Sequence, residues 1–189
     1  MSNRSGRLWR PRPSQILSAS ALLALTLASA CILDWERDED TAGSSSGGNT
    51  CGETCTCEPG KPCSFECYLG CNVLCNGATT CDLSCFGGNC EIDCNTTGDC
   101  TASCAGGNCT VACPPGATCE VDCLSNCHLE CFAGATCTNT CSSNCDVTCA
   151  DSATCTQSCL NNCSLDCTGT PVCTQSCSND SCECTGCTS

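Results

Sequence analysis

Residues 119–137 read CEVDCLSNCHLECFAGATC, and this stretch decides the fold. It holds two Cys-x3-Cys units, Cys119/Cys123 and Cys127/Cys131, joined by a short connection and followed by a longer one that leads to Cys137. The middle residue of each unit is aliphatic, Val121 and Leu129. Cys-x-Φ-x-Cys has period two, which describes a strand with both cysteines and the aliphatic on one face. A helix would also gather cysteines four residues apart. But each unit is only five residues long, and turn-formers such as Gly87-Gly88-Asn89 and Pro114-Pro115-Gly116 bound the units elsewhere in the chain. Helices need more length and fewer breakers.

The unit repeats in both directions. Upstream stand Cys63, Cys67, Cys71 and Cys75; downstream stand Cys137, Cys141, Cys145 and Cys149. Successive pairs of units open at Cys63, Cys81, Cys100, Cys119, Cys137, Cys155 and Cys173, a spacing of 18 or 19 residues. Self-similarity at such a period marks a solenoid. The expected fold is all-β: a disulfide-stapled β-solenoid of about seven 18–19-residue coils, with two short strands per coil. Terminal cysteines that break the spacing (Cys51, Cys55 and Cys57; Cys182, Cys184 and Cys187) suggest end caps.

Composition demands the staples. The 189 residues include 33 cysteines but three phenylalanines, two tryptophans and one tyrosine. A chain with so few large apolar side chains needs cross-links or metals to hold a fold. Cysteines four apart in one strand are separated by roughly 13 Å. A disulfide requires Cα atoms within about 4.4–6.8 Å, so bonding within a strand is excluded. Two schemes remain open. One closes the short turns, as Cys67–Cys71 and Cys141–Cys145, and joins the outer pair Cys63–Cys75. The other bridges the long turn, as Cys75–Cys81. The cysteines assigned to bridges with connectivity undecided are Cys63, Cys67, Cys71, Cys75, Cys119, Cys123, Cys127, Cys131, Cys137, Cys141, Cys145 and Cys149.

Two polar columns accompany the repeat. Asn139, Gln157 and Gln175 take the inward middle position in the last three coils, where stacked amides can bond to one another. Asn89, Asn108, Asn126, Asn144 and Asn162 recur before the second strand, where an asparagine side chain can satisfy turn backbone groups.

The first fifty residues read as an address and a tether. Arg4, Arg7, Arg10 and Arg12 precede an apolar run from Ile16 to Ala28, and Ala28-Ser29-Ala30 follows. A basic segment, a short apolar run and an A-x-A site make residues 1–30 a signal peptide, too short for a comfortable membrane span. Residues 31–50, acidic and then Ser/Gly-rich, read as an anchor cysteine and a flexible tether. Residues 51–189 are the cysteine-rich repeat domain.

Leu27-Ala28-Ser29-Ala30-Cys31 resembles the bacterial lipoprotein signal, with Ala28 standing where that family commonly has leucine. The resemblance implies acylation of Cys31 and, with Ile32 next, an outer-membrane or surface destination. Setting Cys31 aside leaves an even 32 of the 33 cysteines. Cleavage after Ala30 without acylation would leave one odd thiol.

After residue 31 only Arg37 and Lys61 oppose 20 carboxylates, a net charge of −18. Such a polyanion is repelled by nucleic acid and by anionic membrane surfaces, so any membrane contact runs through the N-terminal lipid. Metallothionein-like clusters favour Cys-x-Cys, which occurs here only at Cys55/Cys57 and Cys182/Cys184. The 18-residue period is similar to that of calcium-binding β-rolls, but their Gly-Gly-x-Gly-x-Asp turn is absent. Thr138/Thr140, Thr156/Ser158 and Thr174/Ser176 form an outward hydroxyl array that resembles insect β-helical ice-binding proteins, interrupted by Glu120 and Asp122. His128 is the only histidine and lies at an exposed strand position, with no nucleophile elbow or phosphate loop in the chain. The sequence therefore points to an exported cell-envelope protein with a structural or adhesive surface role, without enzymatic activity or cofactor, its partner unspecified beyond surface or cell-wall components. The alternatives are extracellular metal binding and, third, ice or surface binding.

Overall fold

The computed structural model describes residues 49–179 and 181–187. The segment read as a signal peptide, Cys31 and almost all of the segment read as a tether lie outside the described residues.

Sixteen short strands follow one another, with no helix among the described residues. They are β1 (Asn49–Cys51), β2 (Thr54–Thr56), β3 (Pro62–Cys67), β4 (Asn72–Leu74), β5 (Thr80–Cys85), β6 (Glu91–Asp93), β7 (Asp99–Cys104) and β8 (Thr110–Cys113). The second half comprises β9 (Thr118–Ser125), β10 (His128–Cys131), β11 (Thr136–Ser143), β12 (Asp146–Cys149), β13 (Thr154–Asn161), β14 (Ser164–Cys167), β15 (Val172–Cys177) and β16 (Glu183–Thr185). Odd-numbered strands form one eight-stranded sheet and even-numbered strands another, each stacked in chain order. All pairing is parallel, because each coil returns to the same side after one period. The register lays like on like: Cys137 pairs with Cys119 and Cys155, and Leu129 with Val111 and Val147. The fold is thus an all-β, disulfide-bridged solenoid with an 18–19-residue coil.

Each sheet has one more strand than the seven repeats counted from Cys63. The irregular N-terminal cysteines account for the addition, while β16 is the second strand of the seventh repeat. Residues 49–57 form a shortened coil whose strands lie on β3 and β4, and β16 continues the second sheet on β14. These segments extend the two ladders and do not form a separate cap.

The period-two reading of the strands appears directly in their burial. Along β9 and β11 the cysteines and middle residues are buried while alternate residues are exposed. The core between the sheets is thin, one column of side chains from each. Val73, Ile92, Val111, Leu129, Val147 and Leu165 come from one sheet and Phe65, Leu83, Ala102 and Val121 from the other.

Sixteen disulfides line the two edges of this core. One column closes the short turns, as Cys67–Cys71, Cys123–Cys127 and Cys141–Cys145. The other spans the long turns, as Cys57–Cys63, Cys75–Cys81, Cys131–Cys137 and Cys149–Cys155; Cys113–Cys119 belongs to it. Both turn types are bridged. The outer pair Cys63–Cys75 is not formed: Cys63 bonds Cys57 across the long turn before it, and Cys75 bonds Cys81 across the long turn after it. Across all the bridges the Cα atoms stand 5.7–6.7 Å apart, within the range a disulfide spans. Each bridge shortens the loops open to the unfolded chain, worth about 2–4 kcal/mol taken singly and less than additive in nested loops.

The recurrent asparagines have a backbone role. Asn89, Asn108, Asn126, Asn144 and Asn162 have φ between 50° and 56°, the left-handed region that asparagine tolerates better than other side-chain-bearing residues. Their amide N–H groups continue the stack, as Asn126 to the Ser143 carbonyl and Asn144 to the Asn161 carbonyl, both at 3.1 Å. Satisfaction of the turn falls to the backbone.

The inward amides are linked only in part. Gln175 Nε2 donates to Gln157 Oε1 at 2.8 Å, and Gln157 Nε2 donates to the Cys145 carbonyl at 3.3 Å. Asn139, one methylene shorter, does not extend the chain of bonds. Its buried Oδ1 has no hydrogen-bond partner among the described residues.

Candidate binding face

The odd-numbered sheet turns three columns of alternate residues outward at each strand, and a fourth where the chain leaves the strand. In the first coils these columns carry Glu66, Asp82 and Asp99; β9 adds Glu120 and Asp122. The outward residues of β11, β13 and β15, with the fourth-column Ser178, hold no charge. Thr136, Thr138, Thr140 and Ser142 lie beside Thr154, Thr156, Ser158 and Leu160, and these beside Val172, Thr174, Ser176 and Ser178. On a chain with a formal charge of −14, this is a neutral, hydroxyl-rich face. Threonine suits such a position because its branched carbon packs on the pleat while its hydroxyl meets water.

One edge of that face is apolar. The fourth column runs Tyr68, Phe86, Ala105, Leu124, Ser142, Leu160, Ser178, as the strand register aligns them. Tyr68, Phe86, Leu124 and Leu160 are about half exposed, at 55%, 50%, 56% and 49%. The Tyr68 and Phe86 rings stack with centroids 5.4 Å apart. The Tyr68 hydroxyl donates to Glu66 Oε2 at 2.8 Å, and that bond to a carboxylate raises the phenol above its ordinary value. Between this column and the hydroxyls lies an open groove of about 420 Å³, lined by Ser103, Asp122, Leu124, Thr140, Ser158 and Leu160 among others.

No protein family, curated protein or solved structure compared with this chain matches it. The face must therefore be read on its own chemistry.

The opposite sheet presents a mixed, acidic surface. Its outward residues include Glu91, Asp93, Glu130, Asp146, Asp166 and Glu183. His128 lies here, half-buried, with Nε2 3.3 Å from Glu130 Oε1. At the long-turn edge Asp151 accepts from the Thr170 hydroxyl at 2.7 Å and the Thr170 amide at 2.9 Å. Those two bonds hold its carboxyl below the usual carboxylate range.

Sulfur atoms of successive coils approach closely. Cys57 Sγ lies 3.8 Å from Cys81 Sγ, and Cys71 Sγ 3.7 Å from Cys90 Sγ. Triads such as Cys57, Cys63 and Cys81 bring three sulfurs within 4.8 Å of one another. In this triad two of the sulfurs belong to one disulfide, Cys57–Cys63. The bridged form offers no thiolate there, and a metal would need those bridges reduced.

The sequence placed the hydroxyl columns outward, and the structure brings them into one array. It did not single out the apolar column. The available signal was a large apolar residue directly after the second cysteine of a first-strand unit, as at Phe86, Leu124 and Leu160.

Proposed function

We propose that this chain is an exported, lipid-anchored cell-envelope protein with a structural or adhesive role and no enzymatic activity. The observation that carries the reading is the cysteine count. The bridges use all 32 cysteines from Cys51 to Cys187, so Cys31 is the one of 33 left over for other chemistry. That residue follows Ala28-Ser29-Ala30, where an acyl anchor would attach. A fold bridged along both edges suits an oxidising compartment outside the cytoplasm. The neutral hydroxyl face gives such a protein a surface for contact.

Intact mass of the exported protein, with and without thiol alkylation and before and after reduction, tests this. The expected mass begins at Cys31 with added acyl chains, and no thiol reacts until the protein is reduced. Many free thiols with bound zinc or copper would overturn the reading and make metal binding the leading function.

A second reading rests on the same face. Twelve outward positions of the last three coils without a charge, in parallel register, suit an ordered, uncharged surface such as ice. Thermal hysteresis in solution is its signature; a freezing point equal to the melting point removes it.

A further inference from the structure

The apolar column has a pattern that fits a second copy of the same chain. From Phe86 onward, large and small residues alternate coil by coil: Phe86, Ala105, Leu124, Ser142, Leu160, Ser178. Phe86, Leu124 and Leu160 project as teeth, and the small residues between them leave notches. Coils rise about 4.8 Å, so teeth recur every two coils, roughly 9.6 Å apart. A notch of that width between two half-exposed side chains is open to one more apolar side chain.

An even number of alternating positions has a particular symmetry. Reversed end for end, the column presents a notch wherever the original presents a tooth. We infer that two copies of this protein dock face to face through this column, related by a two-fold axis that crosses it between Leu124 and Ser142. Leu124 of each copy then enters the Ser142 notch of the other, Leu160 meets Ala105, and Phe86 meets Ser178. This is an isologous contact, in which one patch is complementary to itself.

Charge agrees with this arrangement. The same axis reverses the neighbouring hydroxyl column, so Ser84 faces Ser176, Ser103 faces Ser158 and Asp122 faces Thr140. Asp122 is the only charged residue in that column between Ser84 and Ser176. The axis sets it directly opposite a Thr140 hydroxyl that can donate to it, with the other copy's Asp122 one coil along the stack on the diagonal. On the other flank the turns carry glycine, serine and asparagine, as Gly106, Asn108, Ser125 and Asn144. A strongly acidic chain thus has one long edge on which two copies can meet without opposing carboxylates. A column one side chain wide belongs with small interfaces, under about 1,200 Å² in total, so the dimer is weak and depends on concentration. Tethering at a surface raises the effective concentration of such a contact.

The test is sedimentation equilibrium of the oxidised full chain carrying Cys31→Ser, which removes both the acylation site and the odd thiol as sources of association. A concentration-dependent monomer–dimer equilibrium is expected. Ser142→Leu fills the notch and opposes Leu to Leu twice across the axis, so dimerisation weakens by about tenfold or more. Exchanging the two residues, Leu124→Ser with Ser142→Leu, restores every tooth to a notch, and dimerisation returns. None of these side chains belongs to the buried core, and an unchanged far-ultraviolet circular dichroism spectrum together with the absence of free thiols checks that each variant is folded. A monomer at every concentration overturns the inference. So does stronger association of Ser142→Leu, which would mean nonspecific apolar contact, or failure of the exchanged variant to recover.

Discussion

Ser152 has φ 63°, in a turn where the two preceding coils place Gly134 and Gly116 at 75° and 79°. An L side chain in that region brings Cβ against the following carbonyl, at a cost of roughly 1–2 kcal/mol that glycine avoids. Glycine ordinarily returns part of this through greater freedom in the unfolded chain. Here Cys149–Cys155 encloses the turn and limits that freedom in every state. Ser152→Gly is therefore expected to stabilise the turn by about 1 kcal/mol or less. Native-state hydrogen exchange at the Ala153 amide, bonded to the Ala150 carbonyl at 3.1 Å, should slow by up to about fivefold. Gly134→Ser should act in the opposite sense, and for conformational reasons alone, since a Cβ there meets nothing within 4 Å. Faster exchange at Ala153 in Ser152→Gly would refute the strain account. The same backbone demand explains the recurrent asparagines. Their recurrence was legible in the sequence, but the cause was not, because a side-chain hydrogen bond and a tolerance for positive φ favour the same residue.

At the scale of the strand, alternation carried nearly everything. A cysteine at each end and an aliphatic between them specified which face of β9 or β10 is buried, and burial follows that pattern. Bridge pairing was less legible, since the distance argument excludes partners within a strand but leaves several across turns. β11 shows where alternation and chemistry part company. Asn139 takes the inward position held by Val121 in the preceding coil and Gln157 in the next. Its Oδ1 is buried without a partner among the described residues, while Gln157 reaches the Cys145 carbonyl. A buried acceptor left unpaired costs about 1–3 kcal/mol. Asn139→Val, which repeats the neighbouring coil's choice, is expected to stabilise the protein by about 1–2 kcal/mol. Guanidinium unfolding of the oxidised protein, followed by far-ultraviolet circular dichroism, should give a higher midpoint for the variant. A lower midpoint would mean that Asn139 is better satisfied than its contacts indicate, and would make the amide column a stabilising feature along its whole length.

At the scale of the solenoid, each coil touches chiefly its two neighbours, so stability is a sum over coils and opening starts where a neighbour is lacking. The bridges are unequal in this respect. Most pair two buried cysteines, as Cys94–Cys100 and Cys145–Cys141, all at 3% exposure or less. At the C-terminal end, Cys177–Cys182 and Cys184–Cys187 join cysteines that are all partly exposed. Reduction requires a nucleophile to reach a sulfur, so access and local opening set the order in which bridges break. Limited treatment with a water-soluble phosphine, followed by alkylation and peptide mapping, should label Cys177, Cys182, Cys184 and Cys187 first. Labelling should then advance coil by coil, reaching Cys94 and Cys100 late. Two outcomes would contradict this. Uniform labelling along the chain would mean that burial does not protect the sulfurs. All-or-none labelling would mean that the coils open as one cooperative unit, and loss of an end coil would then threaten the whole stack. Progressive labelling would instead mean that the coils open independently, so that under reduction the C-terminal coil, with the β15 part of the hydroxyl face, is lost before the buried middle of the stack.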